Sequence, residues 1–334
     1  MSTLAVTNPT LLDKFSGENP DGSIAVIAEI LNETNEIMQD WTMMEGNLPT
    51  GHSTTVRTGI PTATWRQLYG GVQPTKSTRA RITDSCGMLE AYAEIDKAEA
   101  DLNGNSNAFR LQEARAHIEG MSQQAAEALF TGNEAVNPER FTGLNARYND
   151  LSTENGQDNI IDAGGTGSDN ASIWLIGWGP NTIHGIYPKG SMAGLQTTDK
   201  GQVTIENTDG AGGRMEAYRQ HFRWDLGLTV RDWRYVVRIA NIDRSLLSAD
   251  ASTGANLPDL MFEAAEIVPS LAGGMRFSYS MDRTVRTKVR QQLASATAGS
   301  TLTTTDVGGV RVTSFDEIPM RRVDALAVDE ARVT

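Results

Sequence analysis

Four histidines and one cysteine are the side chains of this chain that most often bind metals or act as nucleophiles. His52, His117, His184 and His221 stand far apart, so none has a partner at the spacing of a metal-binding motif. Cys86, in "DSCGM", lacks the local signature of a catalytic thiol, and a single cysteine excludes an internal disulfide. We therefore predict structural roles for all five residues and no metal site.

Carboxylates and glycines offer no clearer catalytic pattern. Asp225 and Asp232 could serve as general acid and base, but in a chain with 42 acidic residues such pairs arise by chance. The segment "AGGTGSDNAS" lacks the Gly-Lys-Ser/Thr ending of a phosphate-binding loop and the GxGxxG spacing, so it predicts a turn. The tryptophans of "WLIGW" and "FRWDLGLTVRDW" could stack on a sugar, although buried strand faces explain them as well. We predict no catalytic or cofactor-binding residue, while a carbohydrate-active enzyme stays open as an alternative.

The composition predicts a soluble, acidic protein made in a reducing cytoplasm. The 334 residues are 39% hydrophobic and 21% charged, which suits a packed core, and the formal net charge is −13. This negative charge would repel a phosphate backbone and argues against a dedicated nucleic-acid binder. No apolar run approaches the roughly 20 residues of a membrane span, and the first residues do not resemble a secretory signal.

One long segment departs from this acidic character. Residues 51–82 contain no Asp or Glu and carry +5, so the remaining residues carry −18. Thr-rich runs on either side of Pro61, Pro74 and the Gly70–Gly71 pair predict a long two-stranded hairpin or loop. Its cations are Arg57, Arg66, Lys76, Arg79 and Arg81, and the apolar residues near its predicted tip are Trp65, Leu68 and Tyr69.

Such a hairpin cannot bury a face by itself, because an isolated two-stranded hairpin is marginally stable in water. It therefore needs a surface to lie on. That surface is either its own domain or a neighbouring molecule that carries part of the −18. In the second case we expect opposite charge to set the orientation of the contact and apolar burial to supply its strength.

The segment before the hairpin is acidic, with a balance of −7 over residues 1–50. Residues 19–41, "NPDGSIAVIAEILNETNEIMQDW", predict an amphipathic helix preceded by an extended arm. The apolar residues on one face of this helix are Ile24, Ile27, Leu31, Met38 and Trp41.

The rest of the chain predicts a long helix followed by a β-rich region. Residues 107–131 repeat apolar side chains at spacings of three and four: Leu111, Ala114, Ile118, Met121, Ala125 and Leu129. The alternation in "FRWDLGLTV" changes parity near Arg231–Asp232, which requires a bulge or a turn. Further on, the patterns predict two helices, in "LPDLMFEAAEIVPSL" and "MDRTVRTKVRQQLASA", around a strand in "GGMRFSYSM". The low-complexity "ASATAGSTLTTTD" predicts an exposed loop, and short strands end the chain.

This order of parts resembles the major capsid protein of tailed bacteriophages, with the Hong Kong 97-type shell fold. The resemblance covers essentially the whole chain and includes the local patterns "RFTGLNA", "LGLTVRDWRYVVRIANID" and "GVRVTSFDEIPMRRVDAL". The chain length also resembles that of capsid proteins of short-tailed phages. The implied fold is α+β, with an N-terminal arm (1–50), an extended E-loop (51–85), a peripheral domain (86–145 with 305–334) and an axial domain (146–304).

The resemblance implies a structural protein and not an enzyme. Its function would be self-assembly, as pentamers and hexamers, into an icosahedral shell that encloses double-stranded DNA without reading its sequence. The residues named above in the E-loop and the arm would contact neighbouring subunits. Implied partners are portal and scaffolding proteins and a decoration protein; no membrane or cofactor is implied. The chain would occupy the host cytoplasm before assembly and the virion afterwards. Lys76 is the only lysine of the E-loop, and we predict no covalent crosslink.

Two other classes of protein share part of this pattern and remain alternative interpretations. A bacterial nanocompartment shell of the encapsulin type has the same fold but encloses enzymes. A tail-tube or decoration protein would be another virion component, although such proteins rarely need a 25-residue helix.

Overall fold

The computed structural model describes residues 35–152, 158–206, 212–271, 274–295, 302–307 and 310–334. The predicted loop "ASATAGSTLTTTD" and the predicted helix over 19–41 fall partly outside these ranges. Ile24, Ile27 and Leu31 lie outside them.

The strands are β1 Met43–Glu45, β2 Gly51–Gly59, β3 Thr78–Asp96, β4 Ile160–Asp162, β5 Asn170–Trp178, β6 Ile183–Tyr187, β7 Gln196–Glu206, β8 Arg214–Val230, β9 Val236–Asp243, β10 Arg276–Met281, β11 Leu302–Val307, β12 Val310–Phe315 and β13 Ile318–Arg322. The α-helices are α1 Lys97–Ala100, α2 Ser106–Thr131, α3 Leu144–Arg147, α4 Leu257–Ile267 and α5 Arg283–Ser295. Short 3₁₀ helices cover Glu36–Gln39, Leu102–Gly104 and Trp233–Tyr235.

The chain forms two compact units. Among the described residues, the smaller comprises Met88–Ala126 and Gly194–Asp225. In it, β7 pairs antiparallel with β8, and Ala93, Ala114, Met121 and Phe222 share one apolar cluster. The long helix therefore covers one face of a small sheet.

The larger unit comprises Thr34–Gly87, Glu127–Ala193 and Leu226–Thr334. Its central strand β5 pairs antiparallel with β9 on one side and with β10 on the other. Every residue of β5 and β9 is buried. Helices α4 and α5 pack over this sheet through Met261, Ala264, Val285, Val289 and Leu293. This layer forms the main core of the protein.

Helix α2 confirms the predicted long helix, but its apolar stripe is partly wrong. Ala114, Met121, Ala125 and Leu129 are buried as predicted. Leu111 and Ile118 instead leave 55% and 39% of their surface exposed. Leu111 lies at the same angular position as the buried Leu129, about five turns away along the helix, so their different exposure depends on what packs against each end of the helix.

Two smaller predictions had different outcomes. The parity change after β8 is confirmed, because the 3₁₀ turn Trp233–Tyr235 separates β8 from β9, and Asp232 accepts a hydrogen bond from the Arg234 amide at 3.2 Å. The predicted loop "ASATAGSTLTTTD" is wrong at its end. Leu302–Val307 pairs antiparallel with β12, since its β-branched threonines suit a strand.

Candidate assembly surface

The predicted hairpin is confirmed, and its register places three arginines on one face. Strand β2 runs antiparallel to β3, with Arg57 opposite Arg79 and Thr55 opposite Arg81. Residues directly opposite each other, and residues two apart on one strand, share a face of the ladder. Arg57, Arg79 and Arg81 therefore form a basic face, and like charges directly opposite each other destabilise an isolated hairpin.

The tip of the hairpin has almost no contact with the rest of its own chain. Ile60 is 82% exposed, Trp65 101%, Leu68 83% and Tyr69 99%. Arg66 and Lys76 are exposed beside them. Hydrogen bonds hold the tip locally, from the Gly70 amide to the Gln67 carbonyl at 3.1 Å and from the Thr75 hydroxyl to the Thr62 carbonyl at 3.0 Å. The tip is thus ordered by its own backbone while its large apolar side chains face solvent.

Tyr69 adopts a backbone conformation that a bulky residue rarely takes. Its φ is +66°, in the left-handed region that favours glycine and asparagine. Glycine adopts this conformation without steric cost, and two glycines, Gly70 and Gly71, follow directly in the sequence. A tyrosine at this point is therefore better explained by a contact that its ring makes than by the needs of the turn.

The root of the hairpin is anchored firmly in the larger unit. The buried carboxylate of Asp84 accepts hydrogen bonds from Arg147, at 2.8 Å, and from the hydroxyl of Thr229. A Cβ on Gly51 would lie 2.0 Å from the Asp84 carbonyl oxygen, so only glycine fits where the two strands leave the core. The Ser85 hydroxyl donates to Glu134 at 2.6 Å. This root holds the direction of the exposed part.

Two of the histidines that are distant in sequence meet beside this root. The rings of His52 and His184 lie 6.0 Å apart, edge to face. Burial lowers the pKa of His184 to about 4, and His52 and Arg231 add to this effect. Burial likewise lowers the pKa of His52. Both rings are therefore neutral at pH 7.

The described end of the N-terminal arm lies in the chain's own core. Trp41 is 7% exposed, and its ring lies 6.4 Å from that of Phe141. Met38 is half-buried. Asp40 accepts two hydrogen bonds from Arg321, at 2.7 and 2.9 Å. The burial of Trp41 favours a role inside its own subunit over the contact with a neighbour that we predicted.

The remaining candidates for chemistry have structural partners. Asp225 pairs with Arg223 at 3.0 Å, and Asp232 pairs with Arg234 at 2.7 Å. In the part of the chain that the structure describes, no three His, Cys, Asp or Glu side chains are grouped to hold a metal ion. Across the same residues, no helix is both long and apolar enough to cross a membrane.

Sequence reasoning missed the residues that fix the root and part of the apolar tip. Asp84 and Arg147 are 63 positions apart, and nothing local marks either as a partner of the other. Ile60 and Val72, which is 52% exposed, could have been found by listing every apolar residue of the hairpin and not only the largest ones.

A family model and one solved structure match nearly the whole chain. A family model described as major capsid protein GP7 matches residues 19–334. A chain in the near-atomic structure of bacteriophage Epsilon15 is 35% identical, covers 100% of both chains and superposes with a TM-score of 0.79. A chain of the bacteriophage JBD30 capsid is 11% identical over 96% of this chain and 99% of its own, with a TM-score of 0.48. An encapsulin from Synechococcus elongatus PCC 7942 is 10% identical over 66% and 92%, with a TM-score of 0.41. No curated protein matches the chain.

The family match extends from the arm to the last residue, and the α+β fold is of the Hong Kong 97 type. Copies of such a chain assemble with one another to form a shell, so the protein is a structural component of the virion capsid. The chain belongs to the family of major capsid protein GP7.

Proposed function

We propose that the hairpin of residues 51–85 is the E-loop that joins each subunit to its neighbour in an icosahedral shell around double-stranded DNA. The observation that carries this proposal is the tip, which holds four large apolar side chains at 82–101% exposure on an anchored root. A soluble chain rarely leaves such a cluster uncovered unless a partner covers it.

Apolar burial supplies the strength of the contact. Covering an aromatic side chain removes about 150–250 Å² from water, which stabilises by roughly 4–6 kcal/mol at about 25 cal/mol per Å². Ordering of the loop and loss of subunit freedom offset part of this gain. Trp65 and Tyr69 together could therefore sustain a modest contact, and a shell repeats that contact many times.

The basic face of the hairpin sets the orientation of the contact. Arg57, Arg79 and Arg81 repel one another on a free subunit, and a neighbour's carboxylates would relieve this repulsion. Each exposed ion pair contributes only about 0–1 kcal/mol. The arginines therefore determine how the hairpin is placed on its neighbour, while the apolar tip supplies the strength of the contact.

The other features of the proposal follow from shell assembly. Residues 1–50 form the arm, 86–145 with 305–334 the peripheral domain, and 146–304 the axial domain nearest the five- and six-fold axes. The protein has no catalytic role, assembles from pentamers and hexamers in the host cytoplasm, and works with portal, scaffolding and decoration proteins. Its acidic composition allows DNA to be packed and released without sticking.

Charge reversal of the basic face tests the proposal. The triple variant Arg57→Glu, Arg79→Glu and Arg81→Glu should fold as the wild type does, because all three side chains are exposed. It should form no closed particles in negative-stain electron microscopy, since the neighbour's carboxylates would then repel the loop.

A matched control separates this effect from the change in net charge. Arg115→Glu, Lys200→Glu and Arg214→Glu reverse three exposed cations outside the hairpin. This control should still assemble. Normal shells from the hairpin variant would show that its charge does not direct assembly.

A further inference from the structure

Two neighbouring helices of the larger unit carry opposite charge. Helices α4 and α5 share one apolar cluster, and the Leu257 amide donates to the Gln292 side chain at 2.9 Å. Helix α4 contains three carboxylates and no cation, whereas α5 contains four cations and no carboxylate. The chain thus presents an acidic and a basic surface within one layer of the fold.

The acidic surface consists of exposed side chains on α4. Asp259, Glu263 and Glu266 are all exposed. They lie near Phe262, which is 39% exposed, and Leu271 after the helix is 43% exposed. Interfaces commonly have an apolar centre and a polar rim, and Phe262 and Leu271 with the surrounding carboxylates could supply both.

A strained turn adds two more carboxylates to this surface. Asp316 and Glu317 join β12 to β13 and have φ values of +48° and +65°. Two-residue turns with positive φ at both positions favour Asn-Gly and disfavour Glu. The turn follows Phe315, whose ring lies 4.7 Å from that of Phe262. The turn itself explains Asp316, because Asp is favoured at its first central position, but it does not explain Glu317, where glycine is favoured.

The basic surface is a stripe along α5. Arg283, Arg286 and Arg290 repeat at spacings of three and four, so they follow one side of the helix. Arg283 and Arg290 are exposed, while Arg286 lies 3.8 Å from Glu36. Burial lowers the pKa of Arg286, and the nearby cations Arg290, Arg322 and Arg321 act in the same direction. The stripe is therefore strongly electropositive.

These two surfaces do not neutralise each other within one subunit. Among the described residues, no ion pair joins α4 to α5, and Arg286 is the only α5 cation with a carboxylate within 4.0 Å. Because these charged side chains are exposed and no ion pair joins the two helices, both surfaces remain available to pair with another molecule. A second copy of the chain carries both surfaces that are needed.

We propose that the acidic surface of α4 and turn 316–317 on one copy docks against the basic stripe of α5 on the next copy. Such a head-to-tail contact closes into a ring when the rotation between copies divides a full turn, and otherwise gives an open filament. Opposite potentials bring the surfaces together and fix their order around the ring. The contact would also remove the exposed parts of the Phe262 and Leu271 side chains from water. The proposal rests on shell formation by copies of this chain and is independent of the E-loop contact.

Two complementary charge reversals test the contact. The acid-only variant carries Arg283→Glu and Arg290→Glu, which leaves the α5 stripe net negative. The base-only variant carries Glu263→Lys and Glu266→Lys together with Asp316→Asn and Glu317→Gly, which leaves the α4 surface and its turn net positive. Each alone would place like charges at every contact and should lose ring and shell formation by about tenfold or more. An equimolar mixture should form six-membered rings again, because the two variants can alternate around an even-numbered ring and restore attraction at every contact. Analytical ultracentrifugation and negative-stain microscopy would measure both effects.

The mixture distinguishes a lost contact from a lost fold, since two misfolded proteins would not rescue each other. A control with Lys200→Glu and Arg214→Glu should assemble alone. Normal assembly of both reversal variants, or failure of the folded variants to form six-membered rings when mixed, would overturn the proposal. Suppose that the α4–α5 contact is overturned in this way but the triple variant of the E-loop still forms no shells. The proposed function of the E-loop would then stand without the α4–α5 contact.

A turn variant gives an independent test that does not depend on mixing. Asp316→Asn with Glu317→Gly fits the turn better and removes two acids, so it should raise the melting temperature of the subunit while weakening ring formation. Wild-type assembly by this more stable variant would also count against the contact.

Discussion

The root of the hairpin shows how single residues decide the direction of a long exposed element. Asp84 is 6% exposed and accepts hydrogen bonds from Arg147 and Thr229. His52 stands opposite Asp84 in the ladder and contacts His184 edge to face. Removing one partner from a buried ion pair destabilises by about 3–5 kcal/mol, so this cluster holds the root tightly.

The buried histidine predicts how subunit stability depends on pH. In the unfolded chain His184 has its ordinary pKa near 6.5, and in the folded chain the pKa is about 4. Above about pH 6.5 the ring is neutral in both states, and its full contribution is present. Between about pH 6.5 and 4 only the unfolded chain takes up the proton, so stability falls by an amount on the order of 2–3 kcal/mol.

Urea unfolding measured from pH 7 to pH 4 checks this prediction, with His184→Gln as the variant. The variant should lose much of the decrease in unfolding free energy that the wild type shows over this range. His221→Gln, on the smaller unit, should keep it. Equal slopes for wild type and His184→Gln would contradict the assignment.

At the scale of elements, the hairpin divides into parts with different tasks. The root packs into the larger unit, the β2–β3 ladder presents a basic face, and the tip presents apolar side chains. Because the tip makes almost no contact with its own chain, changes there should act on association and not on folding. The same division explains why the tip can remain ordered without a core.

A tip variant separates association from folding. Trp65→Ser with Tyr69→Asn should change the unfolding free energy by no more than about 0.5 kcal/mol, because both rings are exposed and asparagine tolerates the conformation of Tyr69. The concentration needed for assembly, measured by light scattering, should rise at least about tenfold. Gln67→Ser, a polar change in the same tip, should leave it unchanged. An assembly threshold equal to that of the wild type would exclude the tip from the contact.

At the scale of the whole molecule, the end of the chain closes the larger unit. The buried Arg238 donates to Glu330 at 2.8 Å, to the Tyr148 carbonyl at 2.6 Å and to Ser172 at 3.1 Å. The Val333 amide donates to Asn241 at 2.8 Å. The last residues therefore complete a polar network that begins more than 90 positions earlier.

Removing residues 330–334 should leave Arg238 buried without its carboxylate. We expect a loss of about 3–5 kcal/mol in unfolding free energy, measured with urea. Arg332→Ala, which changes an exposed side chain of the same segment, should cost no more than about 0.5 kcal/mol. A truncated chain as stable as the wild type would show that the network contributes little.

The sequence by itself determined the elements whose signal is local. Apolar spacing located α2, α4 and α5, alternation located β8 and β10, and the charge count over 51–82 identified the hairpin. The stripe of α2 was only partly predictable, because the burial of Leu111 or Ile118 depends on what lies opposite. The same charge count applied to α4 and α5 would have revealed their opposite signs.

Only the tertiary structure decided which distant residues meet. Asp84 with Arg147, His52 with His184 and Arg238 with Glu330 are separated by 63 to 132 positions, and no periodic pattern links them. The placement of Arg57, Arg79 and Arg81 on one face likewise required the register of the ladder, since a shift of one residue would move a strand's side chains to the other face. Local sequence patterns reflect the environment of each segment, whereas the pairing of distant residues is determined by the packing of the whole chain.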